Sequence, residues 1–355
     1  MTAPRPAEEW AAELWDAVLG GDEIAAAGVA FAALEAGLPA EEVLLDVVGA
    51  VQRRIGDAWA DNQVGIADEH AATAIDGRVI DALLAHPAVR RPDAERGRVT
   101  VACVDGEWHA LPARLLVEVL RLRGWRVDDL GAQVPVPHLV EHLHLTGPDL
   151  VALSTSLSTR LPAAHEAIIA CQATGIPVLV GGPAYGPDGR YARLFGADLW
   201  CPDARAAADR LGRGALPRPA SGHRAVDDLP HLADQEYTLV TRSAAQLVRK
   251  STAPGRQPGG EGPWAGGDGP SAQRVATVVD FLAAALYTDD DDLFAAYLTW
   301  STHVLTARGE PSGGLPEVLD ALAAQLHDLP RAVRILRHGR AALTDGGGNG
   351  GHGPS

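Results

Sequence analysis

Apolar residues recur at intervals of three and four through residues 6–90, the spacing that places them on one face of an α-helix. Glycine- and proline-containing breaks at residues 20–21 and 37–39 divide this segment into helices. The pattern predicts a small antiparallel bundle of four helices. The apolar positions with this spacing are Trp10, Leu14, Trp15, Val18, Ala30, Leu34, Val43, Leu44, Val47, Val51 and Ile55.

The pattern changes at Arg98, where the run RVTVACV is typical of a buried strand. Similar runs follow in WRVDDLG, DLVALSTS, IPVLVGG and ADLWCP, and helical segments separate them. This alternation predicts an α/β fold with a doubly wound parallel sheet. Ligands of such sheets bind outside the carboxyl ends of the strands. The loops of interest therefore begin at Asp105, Gly131, Ser154 and Gly181.

Helical spacing returns after the last predicted strand, so the fold class is α/β plus all-α. We predict a helical bundle over residues 1–92, a Rossmann-like domain over 93–210 and a helical domain over 211–345. Within the last domain, residues 252–272 are rich in glycine and proline and predict a flexible segment. The tail, residues 346–355, is predicted to be disordered.

Charge and composition exclude several classes of function. The formal net charge is −16 without a Lys/Arg cluster, which argues against direct binding of nucleic acid. The sequence contains neither an apolar segment long enough to span a membrane nor a signal-peptide pattern. Cys103, Cys171 and Cys201 are an odd number and widely spaced, which predicts free thiols in a cytoplasmic protein.

Candidate chemistry lies where the first predicted strand ends, in the segment Asp105-Gly106-Glu107-Trp108-His109. An imidazole at this point lies at the ligand-binding edge of the sheet. The Glu107 carboxylate, two residues earlier, can accept from one ring nitrogen and raise the basicity of the other. The pair therefore predicts a metal-binding histidine, whereas a lone histidine here would be an ordinary loop residue.

This segment resembles the B12-binding domain of methionine synthase and its relatives. The resemblance rests on Glu107-x-His109, on Ser154 at the family's spacing after Pro112, and on the pair Gly181-Gly182. It implies that cobalamin binds base-off/His-on, with His109 as the lower ligand of cobalt. The family usually has glycine where this chain has Pro112, a residue that the first turn of a helix tolerates.

The same resemblance implies further contacts to cobalamin from the neighbouring loops. Ser154 would donate a hydrogen bond to the buried nucleotide base, and glycines would let the backbone approach the nucleotide tail. The residues assigned to these contacts are Asp105, Gly106, Glu107, Trp108, Ser154, Ser156, Leu157, Gly181 and Gly182.

A second resemblance lies in the bundle, where Trp59 is followed after nine residues by Glu69-His70. This spacing is similar to the bundle of CarH-type B12-dependent photoreceptors, in which the tryptophan covers the adenosyl group of adenosylcobalamin. It implies that Trp59, Glu69 and His70 line the upper face of cobalt. The alternative is a core tryptophan followed by an ordinary acidic helix start.

Two features depart from those photoreceptors. A histidine follows the tryptophan in the light-sensing regulators, and this chain has Ala60, which puts a bis-histidine photoproduct in doubt. Only about five residues precede the first predicted helix, too few for a DNA-binding helix-turn-helix.

The C-terminal region carries aromatic residues at helical spacing, which fit either a core stripe or a planar tetrapyrrole pocket. A B12-binding half followed by a helical, globin-like half resembles the photocobilins, which implies biliverdin as a second ligand. No cysteine lies in residues 204–355, so a bilin there would be held noncovalently. The candidate bilin-binding residues are Tyr237, Arg242, Tyr297, Trp300 and His303.

Three functions follow from these patterns. The first is a light sensor with adenosylcobalamin that relays a conformational change to a separate signalling protein. The second is a corrinoid methyl carrier of a methyltransferase system, and the third is an adaptor without a cofactor. In none of them is the chain itself an enzyme, and a homo-oligomer is compatible with each.

Overall fold

The computed structural model describes residues 5–214, 216, 230–252, 271–310 and 314–345. The described residues of 1–156 and 163–221 form one compact unit, and those of 157–162 and 222–355 form a second. The predicted disordered tail, 346–355, and residues 253–270 of the predicted flexible segment lie outside the described residues. The two ends of that segment are ordered, because Thr252 ends one helix and Ala272 begins the next.

The predicted helical bundle is confirmed in residues 5–85. Its helices are α1 (Ala7–Leu19), α2 (Glu23–Glu35), α3 (Ala40–Glu42), α4 (Gly49–Ala60) and α5 (Ile66–Ala85). A π-helical turn, Val43–Val48, joins α3 to α4, so residues 40–60 run as one helix. Most residues with three-and-four spacing, among them Leu14, Val47 and Ile55, are buried between the helices, whereas Trp15 and Leu34 are half-buried.

The predicted parallel sheet is also confirmed. Its strands are β1 (Arg98–Cys103), β2 (Arg126–Asp129), β3 (Leu150–Ser154), β4 (Val178–Gly181) and β5 (Leu199–Cys201), in the order β2-β1-β3-β4-β5. The helices of this part are α6 (Ala110–Leu122), α7 (Val136–Thr146), α8 (Leu161–Ala173), α9 (Arg190–Leu194) and α10 (Ala204–Gly212). All residues of β3 are buried, as expected for a strand covered on both faces.

The sheet has its topological switch point at β1. The chain passes from β1 to β2 on one side and then returns to place β3 on the other. In the register of the strands, Ser154 lies opposite both Cys103 and Gly181. The loops that follow β1 and β3 therefore leave the sheet side by side, at the position where α/β proteins bind ligands.

The bundle and the sheet share one hydrophobic core within the first unit. Ion pairs reinforce this packing. The guanidinium of Arg123, the C-cap residue of α6, contacts both carboxylate oxygens of Glu41 on α3, at 2.6 and 2.8 Å, and also Asp209 on α10. Glu118, which is 1% exposed, pairs with Arg91, Arg114 and Arg121. The bundle is thus fixed against the helical layer of the α/β part rather than connected through a linker alone.

The second unit is helical in its described residues, which confirms the all-α prediction. Its helices are α11 (Pro230–Ala233), α12 (Glu236–Thr252), α13 (Ala272–Thr288), α14 (Asp291–Ala307), α15 (Gly314–Gln325) and α16 (Pro330–Asp345). The buried Glu236 carboxylate accepts from the backbone N–H groups of Arg331 and Ala332 and so stabilises the start of α16. Across the described residues, no helix is long and apolar enough to cross a bilayer.

Candidate functional site

The predicted metal-binding histidine lies at the switch point of the sheet. After β1 the chain turns at Gly106, whose φ is +71°, and His109 becomes the N-cap of α6. Pro112 is the third residue of that helix, within the first turn, where a missing backbone N–H removes no helical hydrogen bond. The turn and the helix start together hold the His109 ring at the edge of the sheet, half-exposed at 51% of its side chain.

Glu107 is a fully buried carboxylate that three hydrogen bonds stabilise. Its Oε1 accepts from the backbone N–H of His109 at 3.0 Å and lies 2.6 Å from Nδ1 of the His109 ring. Its Oε2 accepts from the backbone N–H of Ser156, in the loop after β3, at 2.7 Å. A buried charge needs such compensation, and here the same bonds connect the two loops of the switch point.

These contacts prepare the second ring nitrogen of His109 for a ligand. Since Nδ1 is bonded to Glu107, Nε2 is left facing away from the carboxylate, and it has no partner among the described residues. The hydrogen bond to Glu107, with the charges of Glu107 and Glu69, raises the pKa of His109 above its ordinary value, although partial burial opposes this. A more basic Nε2 is a better electron donor to a metal.

The donor set fits cobalt in a corrin. Among the described residues, no group of three or more His, Cys, Asp and Glu side chains is arranged to hold a metal ion. A single imidazole suits a metal that arrives with its other ligands already in place, as cobalt does within a corrin ring. His109 would then supply the lower axial nitrogen, and Glu107 would orient it.

The predicted upper-face residues lie at one end of the α4–α5 hairpin. Trp59 is half-buried near the end of α4, while Glu69 and His70 lie in the first turns of α5. His70 Nδ1 lies 2.8 Å from Glu69 Oε2. The Glu69 charge acts on His109, so the fold brings this end of the hairpin toward the His109 ring.

The other predicted contact residues have varied surroundings. Asp105 is exposed, and Trp108 is exposed over 67% of its surface beside His109. Ser154 is buried opposite Cys103, and burial raises the pKa of the Cys103 thiol to about 12. The backbone N–H of Ser156 donates to Glu107, and Leu157 belongs to the second unit. Direct contacts from these residues to a ligand remain a prediction.

Gly182 has a structural explanation that differs from the expected one. Its φ is +108°, and a β-carbon there would lie 2.3 Å from the carbonyl oxygen of Thr155. The close approach is therefore to the protein's own backbone in the loop after β3. Gly181 has an ordinary φ and more room, because a β-carbon at Gly181 would lie 3.3 Å from the carbonyl oxygen of Cys201.

Replacing Gly182 with alanine is expected to lower the free energy of unfolding by about 2 kcal/mol, because both the positive φ and the overlap with Thr155 oppose a side chain. Gly181→Ala serves as the matched control and should cost less. Urea unfolding of both variants measures the difference. Equal losses at the two positions would contradict this explanation of Gly182.

The five candidate bilin-binding residues have separate surroundings in the second unit. Tyr237 contacts the ring of Tyr287 edge-on, with centroids 4.9 Å apart, whereas Tyr297 stacks on Phe281 at 3.7 Å. Tyr297 is 3% exposed, and burial raises its pKa to about 12. Trp300 is half-buried, and Arg242 and His303 are exposed. The buried position of Tyr297 fits the core-stripe interpretation, and bilin binding by these residues stays a prediction.

Sequence reasoning missed a polar network beside Glu69. Gln52 on α4 bonds to Thr73 on α5, and Thr73 bonds to Glu69 one turn earlier. Asp76 continues the same face of α5 but is fully buried, with neither oxygen bonded among the described residues. The available signal was the spacing of residues 69, 73 and 76, which puts three polar side chains on one face of α5.

Comparison with known proteins agrees with this geometry. Residues 97–211 match the family model of the B12 binding domain, and residues 10–84 match a second model with the same description. Trimethylamine corrinoid protein 1 of Methanosarcina acetivorans is 25% identical over 198 residues, which cover 54% of this chain and 91% of that protein. The trimethylamine corrinoid protein of Methanosarcina barkeri is 23% identical over 209 residues, covering 58% of this chain and 95% of that protein.

A solved structure shows the same fold. The monomethylamine corrinoid protein of Methanosarcina barkeri aligns with a TM-score of 0.51 at 19% identity, over 58% of this chain and 98% of its own length. The two family matches and the geometry of the His109 site together identify the two parts of the first unit. Residues 10–84 and 97–211 are B12-binding domains, and the chain binds cobalamin through them.

Proposed function

We propose that this chain is a corrinoid methyl-carrier protein that works with a separate methyltransferase. The observation that carries the proposal is the buried Glu107 carboxylate, 2.6 Å from Nδ1 of the half-exposed His109 ring. Bound cobalamin would supply a cobalt centre that accepts and releases a methyl group. His109 would bind its lower face through Nε2, Glu107 would keep the ring oriented, and the loops after β3 and β4 would hold the nucleotide tail.

The names of the relatives support methyl carriage. The trimethylamine and monomethylamine corrinoid proteins align along nine-tenths or more of their own length with this chain. On this proposal the chain holds the corrinoid, and the partner enzyme performs the transfer.

A light sensor with adenosylcobalamin is the second candidate, and the upper-face residues favour it. Trp59, Glu69 and His70 lie at one end of the α4–α5 hairpin, and the Glu69 charge acts on His109. An aromatic ring and a carboxylate suit an adenosyl group, which has a flat base and ribose hydroxyls, better than a methyl group. The relatives cover 54% to 58% of this chain, and the matches to the B12-domain models end at residue 211, before residues 222–355 of the second unit. That unit would relay the change to a signalling partner and would be the site for biliverdin.

One experiment separates the two candidates. The full chain is loaded in the dark with methylcobalamin or adenosylcobalamin, and its absorption spectrum and elution volume are recorded before and after green light. Methyl carriage predicts tight methylcobalamin binding, methyl transfer to a thiol acceptor with the partner enzyme, and an elution volume that light leaves unchanged. A light-dependent elution volume with adenosylcobalamin alone would reverse the ranking.

The second ligand is tested separately by coexpression with a haem oxygenase. A far-red absorption band that survives chromatography, and whose pigment is extracted into solvent after acid denaturation, would support noncovalent biliverdin. Its absence would leave Tyr297 as a core residue and return the second unit to a structural role.

A further inference from the structure

Glu69 is held by a chain of hydrogen bonds across the α4–α5 hairpin. Gln52 Nε2 donates to Thr73 Oγ1 at 2.9 Å, and Thr73 Oγ1 lies 3.1 Å from Glu69 Oε1. On the other side, His70 Nδ1 lies 2.8 Å from Glu69 Oε2. Each carboxylate oxygen of Glu69 therefore has its own neighbour, and the group is fixed in two directions.

The direction of these hydrogen bonds follows from the number of protons that each group can donate. A threonine hydroxyl has one proton, and Thr73 Oγ1 already accepts the Gln52 amide proton at the shorter distance. Its own proton is then available to Glu69 at 3.1 Å, a better distance than the 3.3 Å to Gln52 Oε1. The sequence Gln52 N–H to Thr73 O–H to Glu69 carboxylate keeps Glu69 an acceptor.

This carboxylate is one of the predicted ligand-site residues and is largely shielded from bulk solvent. Its side chain is 25% exposed, compared with 72% for His70, and its charge acts on His109. Gln52 and Thr73 are half-buried behind it. An acceptor held in this way can bond to a ligand that brings hydroxyl or amine protons, and it gains nothing from a methyl group.

We propose that Gln52 and Thr73 are positioning residues that hold the Glu69 carboxylate as a hydrogen-bond acceptor toward the upper ligand of cobalt. The inference rests on the proposed binding of cobalamin at His109, and it fits an adenosyl upper ligand better than a methyl group. Its consequence is that the affinity for an upper ligand with hydroxyl groups depends on a threonine that does not touch that ligand.

The test compares dissociation constants of the full chain for adenosylcobalamin and methylcobalamin, measured in the dark by absorption titration. Thr73→Val removes the hydroxyl and keeps the shape, and we expect it to raise the adenosyl-to-methyl ratio of dissociation constants about 3- to 10-fold. Thr73→Ser restores the hydroxyl and should return the ratio to within about twofold of the parent. In a Glu69→Ala background, Thr73→Val should change the ratio no further.

Thr174 offers a matched control. It is also half-buried and donates one hydrogen bond, to the carbonyl of Cys171 at 2.7 Å, in a different part of the first unit. Thr174→Val should leave the ratio unchanged even if it lowers the melting temperature. An unchanged ratio in Thr73→Val, with an altered ratio in Glu69→Ala, would overturn the positioning role and leave cobalamin binding intact. A folded parent protein that binds neither cobalamin would overturn both proposals.

Discussion

The Asp76→Asn variant is expected to be more stable than the parent protein by about 3 kcal/mol at pH 8, and by about 1 kcal/mol or less at pH 4.5. Asp76 lies in the middle of the buried face of α5, between Ile75 and Val79, and is 0% exposed. Neither of its oxygens has a hydrogen-bond partner among the described residues. Asparagine has nearly the same shape and carries no charge.

The pH dependence follows from the protonation of this carboxyl group. Burial raises the pKa of Asp76 from 3.8 to about 7. Between pH 3.8 and about pH 7 the folded protein holds a proton on Asp76 that the unfolded chain releases. The stability of the parent protein therefore falls as the pH rises through this range. The variant has no such proton and keeps its stability over that range.

Urea unfolding at pH 4.5 and pH 8 measures the effect. Asp57→Asn is the matched control, because Asp57 is exposed on the neighbouring helix α4 and its replacement should change stability by about 0.5 kcal/mol or less at either pH. A stability gain of equal size at both pH values would show that the charge of Asp76 is not the cause. No gain at pH 8 would mean that the buried carboxylate is satisfied in solution.

The second large effect is expected at the lower face of cobalt. His109→Ala should abolish the absorption bands of His-on cobalamin, because on the proposed function His109 is the residue that would bind cobalt. Glu107→Ala should weaken cobalamin binding about 10- to 100-fold, since it removes the group that orients the ring and raises its basicity. It also removes the acceptor of the Ser156 N–H, so the loop after β3 loses its tie to the site.

Absorption titration with methylcobalamin in the dark gives both results. Glu141→Ala provides the control, because Glu141 is an exposed glutamate on α7. Circular dichroism of the apoproteins separates a lost ligand from a lost fold. His-on bands that persist in His109→Ala would overturn the assignment of this residue, and full affinity in Glu107→Ala would confine Glu107 to a structural role.

The fold was largely predictable from the period of the apolar positions. Helical spacing in residues 6–90 and buried-strand runs from Arg98 onward are local properties, and both were confirmed. The π-helical turn was not predictable in this way, because Val43, Leu44, Val47 and Val51 also fit an ordinary α-helix. The turn packs against α1, α2 and α5, and a local pattern does not contain such packing.

The site was predictable only in part. Glu107 and His109 are two residues apart, so their pairing can be anticipated from chemistry and spacing alone. The bond between Gln52 and Thr73 joins residues 21 positions apart on two helices, and the rotation of each helix decides it. The burial of Asp76 depends on the same packing. Gly182 was identified from the sequence, but for a different role. A glycine there was expected to give room to a ligand, whereas in the structure it gives room to the backbone of Thr155.

The π-helical turn at Val43–Val48 has a consequence for insertions and deletions. Such a turn contains one residue more than the α-helical turn it replaces. Loss of any one residue from this turn would let residues 40–60 become a regular α-helix and rotate everything after it by about 100°. Gln52 would then point away from Thr73, and Trp59 would point away from its predicted position at the upper face, although neither residue had been altered. The length of this helix therefore determines which side chains face the upper ligand, as much as the identity of those side chains does. A homologue that lacks the extra residue should bind a different upper ligand.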